Sequence, residues 1–458
     1  MKKKSKQTTD NPFLVKNGAV LDMTIEDVAP NGHGVARLND ISVFVSDTAT
    51  GDQVTVRIDH RSKHTDHAWG RVFEVIQRGT AWKKHFCQEA IQQHGRCGGC
   101  PLGHVSRDVY REIKLRYVAD ALNAARLAQP ALSLHIESPK HYRNKSNFVV
   151  HYSPKNGIQL GSFAPRTHHF ASMDRCQINT KIISTAQRIV TEVLNEAGTT
   201  IYPKPDGVRY VTIKSFESGA VLVDIVVHSD SADQFVDLAN GLLAQKFIQG
   251  VSITCNPIDG NQIRTQAPAY HCGKNTLTET IGDVSLRMRA STFFQLNNDV
   301  ARTMYHQAAM WCADAKSIWD LYCGIGGLGL TASKHANARL FGCDEVTSSI
   351  DLARRNAEDN QVNGTFAVTD LSTAFPTQWP TADVVLVNPP RKGIDTHTLE
   401  RLCQLQPKQI IYVSCNPTTF ASDGRLLCDA GYTLHNTQAY DMLPYTSHVE
   451  LLGRFMKH

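Results

Sequence analysis

Between residues 16 and 76 the chain alternates apolar and polar positions in short runs: AVLDMTIEDVA, GVARLNDISVFVSD, DQVTVRIDHRS and AWGRVFEVIQ. Turn signals such as PNGHG and TATGD separate them. Period-two alternation broken by glycine and asparagine predicts a small five-stranded β-barrel. The spacing then becomes helical over SRDVYREIKLRYVADALNAARL. Strand-like runs return between 135 and 290, as in YRNKSNFVVHYS, VRYVTIKSFES and AVLVDIVVHS, and predict an antiparallel, strand-rich region. From about Ala290 strands and helices alternate, the pattern of a doubly wound parallel sheet. Four zones are therefore expected. Residues 1–15 form a disordered basic tail, 16–76 the barrel, 77–289 a central α+β domain, and 290–458 an α/β domain.

A chain of 458 residues exceeds one ordinary core, in keeping with several domains. The opening MKKKSKQTTD has lysines but no apolar run behind them, unlike a signal peptide, and no stretch is apolar enough for a membrane helix. A cytoplasmic, monomeric protein is expected, with its twelve cysteines as thiols or metal ligands rather than disulfides. The net charge of +5 says little until it is located: 51–116 holds twelve Lys/Arg against seven Asp/Glu. Such a basic segment suits phosphate contact, and equally suits an ordinary solvated surface.

The C-terminal zone carries the clearest chemistry. In KSIWDLYCGIGGLGLTASKHA an apolar strand runs into a turn with glycines at 324, 326, 327 and 329, then a helix. Such a turn lets backbone amides approach a ligand. Asp344 follows Gly324 by twenty residues at the end of the next strand, where a carboxylate can bind ribose hydroxyls. The crowded glycines and the later VLVNPPRKG favour S-adenosylmethionine over a nucleotide diphosphate. Arg391 follows the two prolines, where an amino-methyltransferase of the Asn-Pro-Pro type would carry a base-stacking aromatic, so that chemistry is the weaker alternative.

In IIYVSCNPTT, Cys415 sits between a strand and a turn. A lone cysteine there is usually a small buried residue. A second role comes from carbon 5 of a pyrimidine, a poor nucleophile until a thiolate adds at carbon 6. The resulting adduct needs a base for the carbon 5 proton. Glu450, in the apolar run VELL with His448 two residues earlier, is a carboxylate that is costly unless used or paired.

HGRCGGCPLGH places Cys97 and Cys100 in a glycine-rich loop, with Cys87 upstream and Cys176 in SMDRCQIN. Four thiolates suit structural zinc and an iron–sulfur cluster equally.

Taken in order, FFQLN, DLYCGIGGLGL, VLVNPPRKGI, IIYVSCNPTT and DMLPYTSHVELL resemble the RNA uracil-5-methyltransferase family, most closely its 23S ribosomal RNA branch. The resemblance extends over nearly the whole chain. It implies a class I methyltransferase (Rossmann-like) domain at 290–458, and at 16–76 a TRAM-like, OB-like barrel that binds RNA. YRNK, Tyr142 to Lys145, resembles the entry to the family's central domain. Matched position by position, Cys415 falls on the nucleophile and Glu450 on the base. Gln295, Tyr322, Gly327, Asp344, Asp370 and Asn388 fall on the S-adenosylmethionine residues.

The resemblance also tips the cysteines toward a [4Fe-4S] cluster on Cys87, Cys97, Cys100 and Cys176. The Cys87–Cys97 interval departs from the family's Cys-x5-Cys spacing, having nine intervening residues. Four extra loop residues cost only about 0.5 kcal/mol in closure entropy. The implied substrate is 23S ribosomal RNA, at a uridine of the uracil-747 or uracil-1939 type. A transfer RNA uracil-54 target is an alternative, as is a degenerate RNA-binding assembly factor.

Overall fold

The structure is a computed structural model that describes residues 15–91, 96–128, 132–260, 262–264 and 267–458. Residues 1–14 of the expected tail lie outside the described residues. The chain divides into two compact units, Met1–Phe86 with Gly99–Tyr117 and Tyr445–Ser447, and Cys87–Gly98 with Val118–Pro444 and His448–His458.

In the first unit six strands form one sheet: β1 (Val20–Thr24), β2 (Asp27–Val28), β3 (Gly34–Leu38), β4 (Ile41–Val45), β5 (Gln53–Arg61) and β6 (His67–Gln77), in the order β1-β5-β6-β4-β3-β2. The expected count was five, because AVLDMTIEDVA reads as one strand. It breaks at Ile25, whose N–H turns to Asp52 O, and leaves a separate two-residue β2. Alternation sets the faces: Val54, Val56 and Ile58 of β5 and Ala68 of β6 point into an aliphatic core with Val43 and Val45.

The second unit holds three sheets, of seven, two and eight strands. Its strands are β7 (Leu134–His135), β8 (Lys145–Ser153), β9 (Gly157–Phe163), β10 (Phe170–Ser172), β11 (Gly207–Ser215), β12 (Val221–His228), β13 (Ile248–Cys255), β14 (Tyr270–Gly273), β15 (Leu277–Ile281) and β16 (Val284–Met288). They continue with β17 (Ser317–Leu321), β18 (Arg339–Asp344), β19 (Gly364–Val368), β20 (Val384–Val387), β21 (Gln409–Ser414), β22 (Tyr432–Tyr440) and β23 (Glu450–Lys457). The helices are α1 (Arg107–Ala124), which begins in the first unit, α2 (Lys181–Glu196), α3 (Val236–Leu243), α4 (Asn298–Trp311), α5 (Gly327–Ala336), α6 (Thr347–Asp359), α7 (Thr396–Leu405) and α8 (Pro417–Asp429).

The central sheet runs β10-β9-β8-β11-β12-β13-β14. α2 buries Ile183, Ala186, Val190 and Leu194 among Phe148, Val211 and Ile213. The expectation of an antiparallel sheet fails at one pair. β12 and β13 are parallel because the crossover between them passes through α3, which a run of β-forming residues does not announce.

The C-terminal sheet runs β19-β18-β17-β20-β21-β23-β22-β7. Its first five strands are parallel; β23 returns antiparallel to β21. Chain order reverses between β17 and β20, which opens a crevice at the strands' carboxyl ends. β7 extends the sheet, and the β15–β16 hairpin is tied to α6 by Ser285 N–H to Asn360 Oδ1 and Arg287 N–H to Asn356 Oδ1, both 2.8 Å. Two segments numbered before 290 thus complete this α/β layer.

Candidate active site

The glycine turn follows directly from local backbone demands. Tyr322, Gly324 and Gly326 adopt φ of +62°, +54° and +86°, left-handed values that glycine meets without strain, and α5 starts at Gly327. Gly324 N–H donates to Asp344 Oδ2 at 2.9 Å, joining the turn to the end of β18. Beneath it Asp320, buried on β17, accepts from Gly329 N–H at 2.9 Å. Burial pushes the Asp320 carboxyl up to about 7, opposed by that hydrogen bond. A Cβ on residue 329 would meet Asp320 Oδ2 at 2.5 Å and Asp320 Cβ at 2.9 Å. Gly329→Ala is therefore expected to cost about 1–3 kcal/mol by overpacking, read as a lowered unfolding midpoint.

Tyr322 donates its hydroxyl to Asp395 Oδ2 at 2.8 Å, and Asp395 also caps α7 through Thr398 N–H at 2.9 Å. Asp370 is exposed beyond β19 and holds Ser372 N–H and Oγ at 2.9 and 2.6 Å. Those bonds keep its carboxyl below the usual range. Asn388 follows β20, its N–H directed to Leu321 O at 3.4 Å. Tyr322, Gly327, Asp344 and Asn388 thus share the mouth of the crevice at the carboxyl ends of β17, β18 and β20.

Cys415 and Glu450 come together through strand register. Ser414 of β21 pairs with Leu451 of β23, so the next antiparallel step sets Cys415 opposite Glu450. Asn416 turns the chain by capping α8, its Oδ1 accepting from Thr418 N–H at 3.1 Å. Glu450 is 7% exposed. Burial pushes its carboxyl up to about 7, while a hydrogen bond from Gln295 and the charge of Arg391 hold it down. Gln295, 6% exposed, therefore touches the candidate base. Burial first, then the charge of Glu450, raises the Cys415 thiol; the Arg391 charge and a hydrogen bond from its side chain oppose them. Arg391 also lies 3.4 Å from His448 Nε2, and its carbonyl accepts from Asn416 Nδ2 at 3.2 Å.

Two residues of YRNK support this wall. Asn144 Nδ2 donates to Gln295 O at 2.9 Å, and Lys145 Nζ donates to Thr292 O at 2.7 Å. Arg391, Asp320 and Asp395 were not among the expected site residues. Arg391 was visible in NPPRKG only as the absence of an aromatic; Asp320 and Asp395 are ordinary acidic positions until folding brings them to the turn.

The cysteine set is different. None of the twelve cysteines is in a disulfide. Cys87, Cys97 and Cys176 lie in the second unit, where burial raises Cys87 and Cys176 and the charge of Cys97 adds to both. Ser162 Oγ lies 3.9 Å from Cys97 Sγ. Cys100 is grouped with the first unit. Among the described residues no group of three or more His, Cys, Asp or Glu is arranged to hold a metal ion.

No helix among the described residues is long and apolar enough to cross a membrane. Three families match parts of the chain: tRNA (Uracil-5-)-methyltransferase at 377–458, Methyltransferase small domain at 293–405, and TRAM domain at 14–65. An uncharacterised RNA methyltransferase of Caldanaerobacter subterraneus is 30% identical over 452 residues, covering 95% of this chain and 98% of that protein. One from Listeria monocytogenes is 29% identical over 450 residues, with 95% and 97% covered. Among solved structures, the Pyrococcus abyssi tRNA (uracil-54, C5)-methyltransferase in complex with S-adenosyl-L-homocysteine aligns with a TM-score of 0.76 at 23% identity. That alignment covers 95% of this chain and 99% of the other, a likeness of fold from end to end.

Proposed function

Because this chain belongs to the RNA uracil-5-methyltransferase family, we propose that it moves the methyl group of S-adenosylmethionine to carbon 5 of a uridine in 23S ribosomal RNA. The observation that carries the chemistry is the register that brings Cys415 beside Glu450 at the ends of β21 and β23, with the charge of Arg391 opposing the burial that raises the thiol.

In the proposed cycle the Cys415 thiolate adds to carbon 6 of the uracil. Electron density moves to carbon 5, which takes the methyl group from the sulfonium, the electrophile that S-adenosylmethionine supplies when bound. Glu450 then accepts the carbon 5 proton, the carbon 5–carbon 6 double bond re-forms, and Cys415 leaves as thiolate. Arg391 supports the first and last steps, since its hydrogen bond favours the thiolate that burial disfavours. Gln295 supports the third, since its hydrogen bond keeps part of the Glu450 population ionised near neutral pH. For the methyl donor we assign Gln295, Tyr322, Gly327, Asp344, Asp370 and Asn388. The support is the turn geometry and the Gly324–Asp344 hydrogen bond, with Asp344 Oδ1 accepting from Val346 N–H.

The 23S assignment rests on the sequence resemblance; the solved protein of similar fold acts on a transfer RNA. Mapping 5-methyluridine in ribosomal and transfer RNA from a deletion strain tests it. Loss of one 23S 5-methyluridine is the expected result, and loss confined to transfer RNA overturns the assignment.

The [4Fe-4S] cluster belongs to the proposal on the resemblance and on the mutual influence of three thiols. No catalytic step passes through it. Anaerobically purified protein is expected to carry about four irons per chain with matching sulfide. Stoichiometric zinc, or no metal at all, would remove it.

A further inference from the structure

Asp423, on α8, is a buried carboxyl that the proposed cycle does not use. Burial pushes it above the usual range, against hydrogen bonds from Tyr412 and Ile394. An acid in such a place is costly unless its hydrogen bonds serve something. One oxygen, Oδ2, accepts twice, from the Tyr412 hydroxyl at 2.7 Å and from Ile394 N–H at 2.9 Å. Tyr412 lies on β21, the strand that leads to Cys415. Ile394 ends the turn that carries Arg391.

That turn runs from Pro390 to Gly393 and is closed by Gly393 N–H to Pro390 O at 2.9 Å. Gly393 has a φ of +88°, and a Cβ there would meet Asp423 Oδ2 at 2.6 Å and Thr419 Cβ at 3.2 Å. Only a residue without a side chain lets the turn come so close to the carboxyl. The other end of the turn is held from the same helix, where Asn416 Nδ2 donates to Arg391 O at 3.2 Å. Asn416 and Asp423 are separated by about two helical turns, so they share one face of α8. That face grips the turn twice, at the carbonyl of Arg391 and at the N–H of Ile394. Because α8 starts directly after Cys415, the thiol and the backbone of Arg391 are fixed to one rigid element. Satisfying the Tyr412 hydroxyl would be reason enough for a polar residue at 423. That account leaves out the bond to Ile394 and the glycine that makes room for it.

We propose that Asp423 is a positioning residue for the covalent step, fixing the 390–394 turn so that the charge of Arg391 faces the Cys415 thiol. It acts as a hydrogen-bond acceptor, so an amide in its place should serve. The inference rests on the reading of Cys415 as nucleophile, but the acidity of the thiol can be read without RNA or methyl donor.

The test is the rate at which iodoacetamide alkylates Cys415 in the full chain over a range of pH, followed through the mass of its peptide. Asp423→Ala should slow alkylation near neutral pH about tenfold and move the rate–pH midpoint upward, because a displaced Arg391 no longer favours the thiolate. Asp423→Asn keeps an oxygen acceptor and should stay within about twofold of the parent. Gly393→Ala leaves Asp423 and Tyr412 in place but pushes the turn away, and it should slow the reaction severalfold. In an Arg391→Gln background, Asp423→Ala should add less than about twofold, since it acts through Arg391. Loosened packing alone has the opposite signature, because freeing a half-buried thiol speeds alkylation. Unchanged or faster alkylation in both Asp423→Ala and Gly393→Ala overturns the proposal. So does an Asp423→Asn rate as slow as that of the alanine variant, or an undiminished effect of Asp423→Ala in the Arg391→Gln background. The predicted shifts in a protein that transfers no methyl group would keep this inference and remove the proposed function.

Discussion

Cys415→Ala is expected to lose methyl transfer by roughly 10^4-fold or more, the scale on which removal of a covalent nucleophile acts. The thiol is needed to make carbon 5 nucleophilic, and the Ser414–Leu451 pairing sets it beside Glu450. The turn at 322–329 and its partners Asp320 and Asp344 do not touch Cys415 in the contacts described above, so affinity for S-adenosylmethionine should change by less than about threefold. Loss of one sulfur at a half-buried position costs about 1 kcal/mol of stability. Isothermal titration with the donor and a labelled-methyl assay separate these effects. Turnover within tenfold of the parent protein would exclude Cys415 as nucleophile.

Glu450→Gln should instead stop the cycle after methyl transfer. The amide occupies the carboxylate's volume and keeps a polar group beside Gln295, but cannot accept the carbon 5 proton. Methylated RNA therefore stays bound to Cys415, and a protein–RNA band should survive denaturing gels. In the double variant with Cys415→Ala that band should vanish. Normal turnover by Glu450→Gln would pass the base role to another group.

The raised carboxyl of Glu450 adds a pH signature. Its acceptor form is lost as pH falls through about 7, so proton removal in the parent protein should slow on the acid side of that value. Stability runs the other way. The folded state binds this proton more tightly than the unfolded state, so the contribution is fully present below the unfolded value near 4.5. It is lost as pH rises through about 7. Up to about 3 kcal/mol is at stake for a carboxyl this buried. Glu450→Gln should flatten that dependence and be relatively more stable than the parent above pH 7, as read by denaturant titration at pH 5 and pH 8.

Much of this site is legible in linear order because its parts are local. A strand, four crowded glycines and a helix start describe the turn at 322–329. An Asn-Pro that ends a strand and caps a helix describes the setting of Cys415. A carboxylate in VELL is conspicuous because burial makes it costly. What linear order does not carry is contact between distant segments. Gln295 meets Glu450 across 155 positions, and Arg391 meets Cys415 because β20 and β21 are neighbours. The same limit explains the fold differences. Two residues at 134–135 extend the C-terminal sheet without any strand-like run of their own, and the parallel β12–β13 pair depends on a crossover rather than on composition. Cysteine spacing likewise proposes a ligand set, while among the described residues no group of three or more His, Cys, Asp or Glu is arranged to hold a metal ion.

The covalent step at Cys415 is the centre of the account, and RNA carrying 5-fluorouridine tests it most directly. Fluorine at carbon 5 cannot leave as a proton does, so the adduct formed after methyl transfer has no exit and must accumulate on the parent enzyme. Incubation with S-adenosylmethionine, nuclease and protease digestion, and mass analysis of the peptide containing Cys415 give a single readout. The predicted result is that peptide heavier by one methylated fluorouridine nucleotide, dependent on the methyl donor. An unmodified Cys415 peptide, or the same added mass on any other residue, would contradict the account.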